Sequence, residues 1–323
     1  MKAARLVGPK QFELVEAERP RPKDGQCLIK VERVSICGSD IRREYGPIHP
    51  EEHYPMPLGV PCHECAGVVV ESRSHQFREG QRVIVLPNRG GTTGGLVEYI
   101  ASDPGRVVAL PDDGDLGEWL MCQPSGTVLY SCQKMASLLG KTVVIVGQGG
   151  IGLSFTMITS RLGAHQVIGV DLLDYRLRWA ESMGATSTVN PTREDVVEAV
   201  QRLTGGVGAD VVVEAAGYPD TLNICFRLVR QFGTVVVFGI QSEQRVSVDH
   251  ALWMDKQPTI IPTSSARSAD PIADIKEMVW LKSRGWADPG RLVTHRLAFN
   301  DVQKAYDMYE GQQDNLIKVV MSL

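Results

Sequence analysis

The stretch that most constrains the fold runs from Lys141 to Gly163. Thr142–Val146 is rich in β-branched residues and predicts a strand that is buried on both faces. A glycine-rich turn, 147–152, follows without a break, and apolar residues then recur at helical spacing. A G-x-G-x-x-G turn between a strand and a helix predicts a dinucleotide-binding site.

Each glycine of this turn has a separate expected role. Gly147 permits the tight turn, Gly149 has no side chain to block a pyrophosphate, and Gly152 lets helix and strand pack closely. The free N–H groups at the start of the helix, around Gly150 and Ile151, are expected to face the anion. The alternative is a glycine-rich turn without a ligand.

The acidic residue after the next strand raises the odds of a nucleotide site. Asp171 follows the predicted strand Gln166–Val170. A carboxylate there accepts hydrogen bonds from both adenosine ribose hydroxyls and repels a 2′-phosphate, which predicts NAD rather than NADP. Asp171 could instead only cap the helix that begins near Leu173. Arg176 could lie against the adenine or be a solvated surface residue.

Composition narrows the class of protein. The chain has 323 residues, of which 43% are hydrophobic and 22% charged, as in a globular protein of about two domains. A net charge of -4 gives no reason to expect nucleic acid or an anionic membrane as a partner, and no apolar run is long enough for a membrane span. The seven cysteines suggest free thiols or metal ligands in a reducing compartment, hence a cytoplasmic location.

The rhythm of predicted elements divides the chain in two. Residues 1 to about 110 are mainly β, with strands expected at 3–7, 12–16, 27–36, 64–71, 82–86 and 96–100. Two helices follow, broken at Pro124. From Lys141 to about Pro262 strands and helices alternate, which predicts an α/β domain with a doubly wound parallel sheet. We expect one domain from 1–122 and 263–323, and a nucleotide-binding domain from 123–262.

The ends of two further predicted strands also belong to the expected cofactor site. Ligands bind at the carboxyl ends of parallel strands. Ala216, Gly239 and Ile240 lie at such ends, so we expect their backbone to meet the nicotinamide half of the cofactor.

A second group of residues carries metal chemistry. Cys37 ends a long predicted strand, His63 and Glu64 begin another, and Gln123 stands where the helical region starts. A thiolate, an imidazole and a carboxylate suit Zn²⁺, and a catalytic zinc keeps one position open. Taken singly, each has an ordinary structural explanation, and spacing alone cannot show that they meet.

Several motifs together resemble one family. They are GSD after Cys37, the His63-Glu64 pair before AGVVVE, GQGGIG with Asp171, GGLVEY at 94–99 and VTHR at 293–296. In order and spacing the chain is similar to the zinc-dependent medium-chain alcohol and polyol dehydrogenases, such as sorbitol, threonine and glucose dehydrogenases. The resemblance implies a mainly β, GroES-like catalytic domain and a Rossmann domain. It also implies oxidation of a secondary alcohol on a polar substrate (polyol, sugar, cyclitol or amino alcohol) to the ketone, or the reverse.

The resemblance also assigns roles to single residues. Cys37 and His63 match the catalytic zinc ligands, and Glu64 matches a glutamate that ligates the metal in some members. Ser39 matches the hydroxyl that begins the proton relay, and Asp40 matches an acid that could fix His63. Thr127 matches a residue packed on the nicotinamide.

Three departures from the family pattern matter. Gln123 stands where the family usually has Glu, Asp or Cys, and a subset resembling archaeal sugar dehydrogenases shares it. We therefore expect Cys37, His63 and Glu64 as ligands, with Gln123 near the water or substrate and as a weaker possible ligand. Cys122 is one residue off register and ranks after Gln123 as a candidate. Arg42 replaces a relay histidine and cannot accept a proton, so the relay ends at Ser39, the ribose and water, or Arg42 binds an acidic group of the substrate. The segment 88–93 lacks the usual four-cysteine lobe, so no structural zinc is expected.

Other interpretations stay open. Cys62 and Cys65 form a C-x-x-C without a partner motif, which favours two buried thiols over a zinc ribbon. A zinc-free reductase of a carbonyl or enone, or a non-catalytic dinucleotide-binding sensor, could share this sequence. The predicted strand 233–238 lies at or near the edge of the sheet, where relatives often pair, so a homodimer or homotetramer is expected.

Overall fold

A computed structural model describes residues 1–87, 94–263 and 268–323. The chain forms two compact units. The first comprises Met1–Pro124 and Ile275–Leu323, and the second is Ser125–Asp274. The first boundary lies close to the predicted one, whereas the return to the first unit falls within a helix, Pro271–Ser283, rather than at residue 262.

The structure contains strands and helices along the whole described chain. The strands are β1 (Lys2–Gly8), β2 (Gln11–Glu16), β3 (Cys27–Ser35), β4 (Glu64–Ser72), β5 (Arg82–Val85), β6 (Tyr99–Ser102), β7 (Val107–Ala109), β8 (Thr142–Val146), β9 (Gln166–Val170), β10 (Ser187–Val189), β11 (Ala209–Glu214), β12 (Val229–Val237), β13 (Thr259–Pro262), β14 (Val293–Ala298) and β15 (Lys318–Ser322). The α-helices are α1 (Gly38–Asp40), α2 (Leu116–Leu120), α3 (Cys122–Gln133), α4 (Gly150–Arg161), α5 (Asp174–Met183), α6 (Val196–Leu203), α7 (Pro219–Leu228), α8 (His250–Lys256), α9 (Pro271–Ser283) and α10 (Val302–Glu310). A π-helical turn, Ile41–Tyr45, continues α1.

The first unit is built on one large, mostly antiparallel sheet. Its strands lie in the order β14-β15-β3-β4-β5-β7, and β6 pairs with β3. Strands β3 and β4 are long and bury most of their side chains because they lie in the middle of this sheet. β15 joins the end of the chain to β3, and β1 and β2 form a separate hairpin.

The second unit contains the predicted parallel sheet. Its strand order is β10-β9-β8-β11-β12-β13, and every pairing is parallel. The order reverses between β8 and β11, which is the position where doubly wound sheets bind nucleotides. The central strands are apolar along their length because helices cover both faces of such a sheet.

The structure differs from the sequence predictions in a few elements. β6 begins at Tyr99 rather than at residue 96, because Leu96 and Val97 instead bind the backbone of β1 and of the loop before β4. α3 begins at Cys122 rather than at Pro124. Proline is tolerated there because the first turn of a helix has N–H groups without helical partners. None of the helices in the described ranges is both long and apolar enough to cross a membrane.

Candidate active site

The pairing of β3 with β4 creates the metal site. Ser35 near the end of β3 is directly opposite Glu64 at the start of β4. Cys37 lies two residues past Ser35 and His63 precedes Glu64, so the antiparallel register brings both strand ends together. The sulfur of Cys37, a ring nitrogen of His63 and a carboxylate oxygen of Glu64 all lie within 4.8 Å of one another. The structure therefore joins residues that spacing alone left apart.

Asp40 holds two of these groups in place. Its Oδ1 lies 2.7 Å from Nδ1 of His63, and its Oδ2 accepts a hydrogen bond from the backbone N–H of Cys37 at 3.0 Å. Burial lowers the pKa of His63, but the neighbouring Asp40 and Cys37 outweigh this and raise it well above 6.5. The hydrogen bond to Nδ1 leaves Nε2 as the ring atom for a metal. The contact expected between Asp40 and His63 is present.

Glu64 is fully buried, and its two carboxylate oxygens differ in their hydrogen bonding. Its Oε2 accepts a hydrogen bond from Nζ of Lys318 at 2.6 Å. Its Oε1 has no hydrogen-bond partner among the described residues. Burial lowers the pKa of Lys318, but the Glu64 carboxylate outweighs it and the net shift is upward. Lys318 had no role in the sequence analysis, although a lysine that opens an apolar strand was a visible signal.

The donor set fits Zn²⁺. A thiolate, an imidazole and a carboxylate are zinc ligands, and three protein ligands with an open position are typical of catalytic zinc. The orphaned Oε1 of Glu64 supports the fit, because a buried carboxylate oxygen without a partner is costly. Gln123 is also buried, and its Oε1 has no partner among the described residues. It is therefore a second acceptor atom that remains available.

The remaining predicted residues of the first unit have varied surroundings. Ser39 is on α1 and buried, and Arg42 is half-buried on the π-helical turn that follows. Cys122 is buried, and burial raises the pKa of its thiol to about 12, which disfavours the thiolate that binds metals. Cys62 and Cys65 are buried free thiols, as expected. Segment 88–93, which bears on the structural zinc, lies outside the described residues.

The glycine turn of the second unit has the geometry that a pyrophosphate requires. Gly147 follows β8 with φ +94°, a left-handed conformation that favours glycine. A Cβ at Gly149 would meet no described atom within 4 Å, so the space beside it is open. A Cβ at Gly152 would stand 1.8 Å from the carbonyl oxygen of Gly147. Gly150 and Ile151 lie in the first turn of α4, where backbone N–H groups have no partner within the helix and can face an anion.

Asp171 is fixed beside this turn. Its Oδ2 accepts a hydrogen bond from the backbone N–H of Gln148 at 2.7 Å, and its Oδ1 accepts one from Leu173 at 3.0 Å. Nη1 of Arg176 lies 3.6 Å from Oδ2. Asp171 thus makes the local contact with Leu173, at the start of α5, that was the alternative to a role in nucleotide binding. It also links the end of β9 to the glycine turn 147–152.

A buried glutamate organises the ends of β11 and β12. Oε1 of Glu214 accepts hydrogen bonds from the backbone N–H groups of Ala216 and Gly217 and from the Thr221 hydroxyl, and Oε2 accepts one from Gln241. A Cβ at Gly239 would stand 2.4 Å from Oε2. Glu214 had no role in the sequence analysis. A charged residue that ends an apolar strand was the signal.

The other predicted cofactor residues also belong to the second unit. Thr127 is half-buried on α3, and its carbonyl oxygen accepts a hydrogen bond from Ser131 at 3.1 Å. Ile240 follows Gly239 after β12 and is half-buried. Contacts of both residues with a nicotinamide stay a prediction.

Comparisons with known proteins place this fold and site in a family. Residues 23–112 match the alcohol dehydrogenase GroES-like domain, and residues 150–281 match the zinc-binding dehydrogenase domain. An uncharacterized zinc-type alcohol dehydrogenase-like protein of Escherichia coli K12, YdjJ, is 30% identical to this chain. The match covers 98% of this chain and 97% of that protein. The sorbitol dehydrogenase of Bacillus subtilis is 27% identical over 99% of this chain and 97% of its own.

Solved structures of dehydrogenases have the same fold as this chain. An oxidoreductase/dehydrogenase of unknown specificity from Escherichia coli superposes with a TM-score of 0.88 at 29% identity, covering 100% of this chain and 99% of its own. A zinc-binding dehydrogenase from Sinorhizobium meliloti 1021 bound to NADP gives 0.87 at 25% identity, with coverage of 100% and 99%.

The fold, the metal trio and these likenesses define an oxidoreductase that acts on small alcohols. The chain belongs to the zinc-type alcohol dehydrogenases of the medium-chain dehydrogenase/reductase superfamily, in the polyol dehydrogenase branch. The resemblance seen in the sequence motifs is confirmed, as is the combination of a GroES-like and a Rossmann domain.

Proposed function

We propose that this protein is an NAD-dependent, zinc-assisted dehydrogenase that interconverts a secondary alcohol on a polar, polyhydroxylated molecule and the corresponding ketone. The observation that carries the proposal is the trio of Cys37, His63 and Glu64 within 4.8 Å, with Oε1 of Glu64 lacking a partner among the described residues. A zinc-free reductase would have no use for this arrangement of three metal-ligand side chains.

The chain's own residues supply positioning and proton transfer. When bound, Zn²⁺ supplies Lewis-acid chemistry that lowers the pKa of a hydroxyl group, and NAD supplies the hydride acceptor. Cys37, His63 and Glu64 would hold the metal, and Asp40 keeps the imidazole of His63 in the tautomer that binds it. Ser39 is buried on α1, two residues after Cys37, and its Oγ would accept the proton of the substrate hydroxyl while its own hydroxyl proton passes to the cofactor ribose or to water.

Two residues, Gln123 and Arg42, support the proposal of a polar substrate. The carbonyl oxygen of the Gln123 side chain is a buried acceptor for a substrate hydroxyl. Arg42 brings a permanent positive charge to the turn after Ser39, where a carboxylate or phosphate of the substrate would be neutralised. Relatives named sorbitol dehydrogenase and D-arabitol-phosphate dehydrogenase support a polyol, with or without an acidic group.

The preference for NAD is proposed from Asp171. Its carboxylate lies at the end of β9, where it would accept ribose hydroxyls and repel a 2′-phosphate. Arg176 at 3.6 Å weakens that repulsion, and one structural neighbour was solved with NADP. We therefore propose a preference for NAD that depends on Asp171 and is incomplete.

The assembly and location are proposals as well. β13 lies at the edge of the six-stranded sheet, and β12, which covers the strand predicted for that position, lies beside it. An exposed edge is a pairing site for a second copy, so we propose a homodimer or a homotetramer. A monomeric mass by light scattering contradicts it. All seven cysteines are free thiols, which suits the cytoplasm.

One experiment tests the function. Protein purified without chelators is analysed for zinc, and NADH formation is measured over a panel of polyols, sugars, cyclitols and amino alcohols. We expect about one zinc per chain and turnover that Cys37→Ala abolishes. Zinc far below this level, with activity indifferent to Cys37→Ala, would favour the zinc-free reductase. Tight NAD binding without turnover of any alcohol or carbonyl would favour a sensor.

A further inference from the structure

Lys318 is a buried cation that the reaction itself does not use. It opens β15, and its side chain is only 4% exposed. A lysine ammonium loses its hydration when buried, so such a residue is uncommon unless it is paired and hydrogen-bonded. The other residues of β15 up to Met321 are buried and apolar. An apolar residue would therefore suit this position of the strand, and the buried positive charge of Lys318 needs an explanation.

Both hydrogen bonds recorded for the Lys318 ammonium group lead to the metal trio. Its Nζ donates to Oε2 of Glu64 at 2.6 Å and to the backbone carbonyl oxygen of Ile36, also at 2.6 Å. Ile36 immediately precedes Cys37 in the sequence. One ammonium group thus links the segment that carries the thiol to the carboxylate on the neighbouring strand.

Asp40 makes the complementary link. It joins the backbone N–H of Cys37 to the imidazole of His63. Asp40 and Lys318 are both buried and have opposite charges. Together they tie His63 and Glu64 to the same segment, the one around Cys37, and they add no net charge to the site.

We propose that Lys318 is a positioning residue for the metal centre: it holds Glu64 by Oε2 and so presents Oε1 to the metal ion. This inference rests on the proposed function, because it assumes that Glu64 is a zinc ligand. The two carboxylate oxygens of a glutamate are chemically equivalent, and a freely turning carboxylate can bind through either one, through both, or through neither. A short charge-assisted hydrogen bond to one oxygen removes that freedom.

The orphaned oxygen supports this role over a purely structural one. A lysine placed only to neutralise a buried carboxylate would leave the other oxygen to find a protein donor, as buried carboxylates normally do. Here Oε1 has no hydrogen-bond partner among the described residues, although Glu64 belongs to the group of possible metal ligands within 4.8 Å of one another. The structure satisfies one oxygen fully and keeps the other for a ligand.

The test measures zinc affinity rather than turnover. Wild type, Lys318→Met, Glu64→Gln and the double variant are titrated with zinc in competition with a chromophoric chelator. The absorption of the Co²⁺-substituted proteins reports the coordination. Lys282→Met is the matched control, because Lys282 is another largely buried lysine of the first unit and its ion-pair partner is Asp288 rather than a member of the trio.

We expect Lys318→Met to weaken zinc binding about 10- to 100-fold, as losing the partner of a metal ligand does, and to change the Co²⁺ spectrum. In the Glu64→Gln background the same substitution should alter zinc affinity by no more than about twofold, because Lys318 acts through Glu64. Lys282→Met should leave zinc affinity unchanged.

Two results would overturn the inference. One is a folded Lys318→Met protein with wild-type zinc affinity and spectrum. The other is an equal loss of affinity in the wild-type and Glu64→Gln backgrounds. Should Lys318→Met fail to fold, Lys318→Gln, which keeps a polar side chain but removes the charge, takes its place in both comparisons, and wild-type zinc affinity with a wild-type Co²⁺ spectrum would again overturn the inference. Failure of the proposed function looks different: wild-type protein would then take up no zinc.

Discussion

The same substitution at two glycines of the nucleotide turn should have opposite consequences. At Gly149 the backbone has φ -72°, which suits any residue, and an added Cβ would meet no described atom within 4 Å. At Gly152 an added Cβ would stand 1.8 Å from the Gly147 carbonyl oxygen, although real Cβ atoms essentially never come within 3.0 Å of a neighbour. Gly149→Ala should therefore spoil binding without unfolding, and Gly152→Ala should spoil folding.

The magnitudes follow from these surroundings. For Gly149→Ala, alanine is a poorer N-cap than glycine, but it also restricts the unfolded chain by about 0.4–1 kcal/mol, so the net change in stability is about zero. Its methyl group would occupy the space meant for the pyrophosphate, which should weaken NADH binding at least about tenfold, or about 1.4 kcal/mol. For Gly152→Ala, the turn must open by roughly 1 Å, an overpacking that costs about 1–3 kcal/mol or more. The better helix propensity of alanine returns at most about 1 kcal/mol.

Thermal unfolding and NADH fluorescence titration measure the two effects on the full chain. Gly149→Ala should unfold within about 2 °C of wild type, since its free energy of unfolding is nearly unchanged, while its Kd for NADH rises. Gly152→Ala should unfold at a clearly lower temperature. A Gly152→Ala protein as stable as wild type would refute the steric argument. A Gly149→Ala protein with wild-type affinity would refute the placement of the pyrophosphate.

Three further outcomes are expected. Asp171→Ala should raise kcat/KM with NADP relative to NAD, because it removes the carboxylate that repels the 2′-phosphate; an unchanged ratio contradicts that role. Glu214→Ala should speed amide hydrogen exchange at Gly217 about 10- to 100-fold, since a hydrogen bond to a charged acceptor is worth about 1.5–3 kcal/mol. Glu214→Gln keeps an acceptor for this N–H group, so its Gly217 amide should exchange nearly as slowly as in wild type. Burial raises the pKa of Asp210, but hydrogen bonds from Thr142 and Arg230 outweigh the effect of burial and lower the pKa below 3.8. The contribution of the Asp210 carboxylate to stability is therefore complete above pH 3.8 and is lost as the pH falls below that value. Urea unfolding should show Asp210→Asn to be less stable than wild type at neutral pH and to converge with wild type in acid.

The parallel sheet was predictable because its signals are local. β8 and β9 have the bounds that their β-branched and apolar runs predict, since strands buried on both faces need nothing else from the chain. Elements that depend on distant partners were harder to place. Leu96 and Val97 look like part of a strand, yet their backbone groups pair with β1 and with Gly59. α8 was not predicted.

The metal trio was predictable from residue types and family resemblance, but its supporting contacts were not all within reach. Asp40 lies three residues from Cys37, so its role could be anticipated. Lys318 is 254 residues from Glu64 in the chain. Only the pairing of β15 with β3 brings the two together, and no periodicity or motif reports that register.

On the proposed ligand set, charge balance would account for a neutral residue at position 123. With Cys37 as thiolate and Glu64 as carboxylate, the proposed ligands carry two negative charges, which balance a divalent ion. Asp40 and Lys318 cancel each other. An aspartate or glutamate at position 123 would add a further negative charge to buried surroundings, where unbalanced charge is costly. Gln123 supplies an acceptor oxygen without that charge, so on the proposed ligand set it is the complement of Glu64 rather than the mark of a lost metal site.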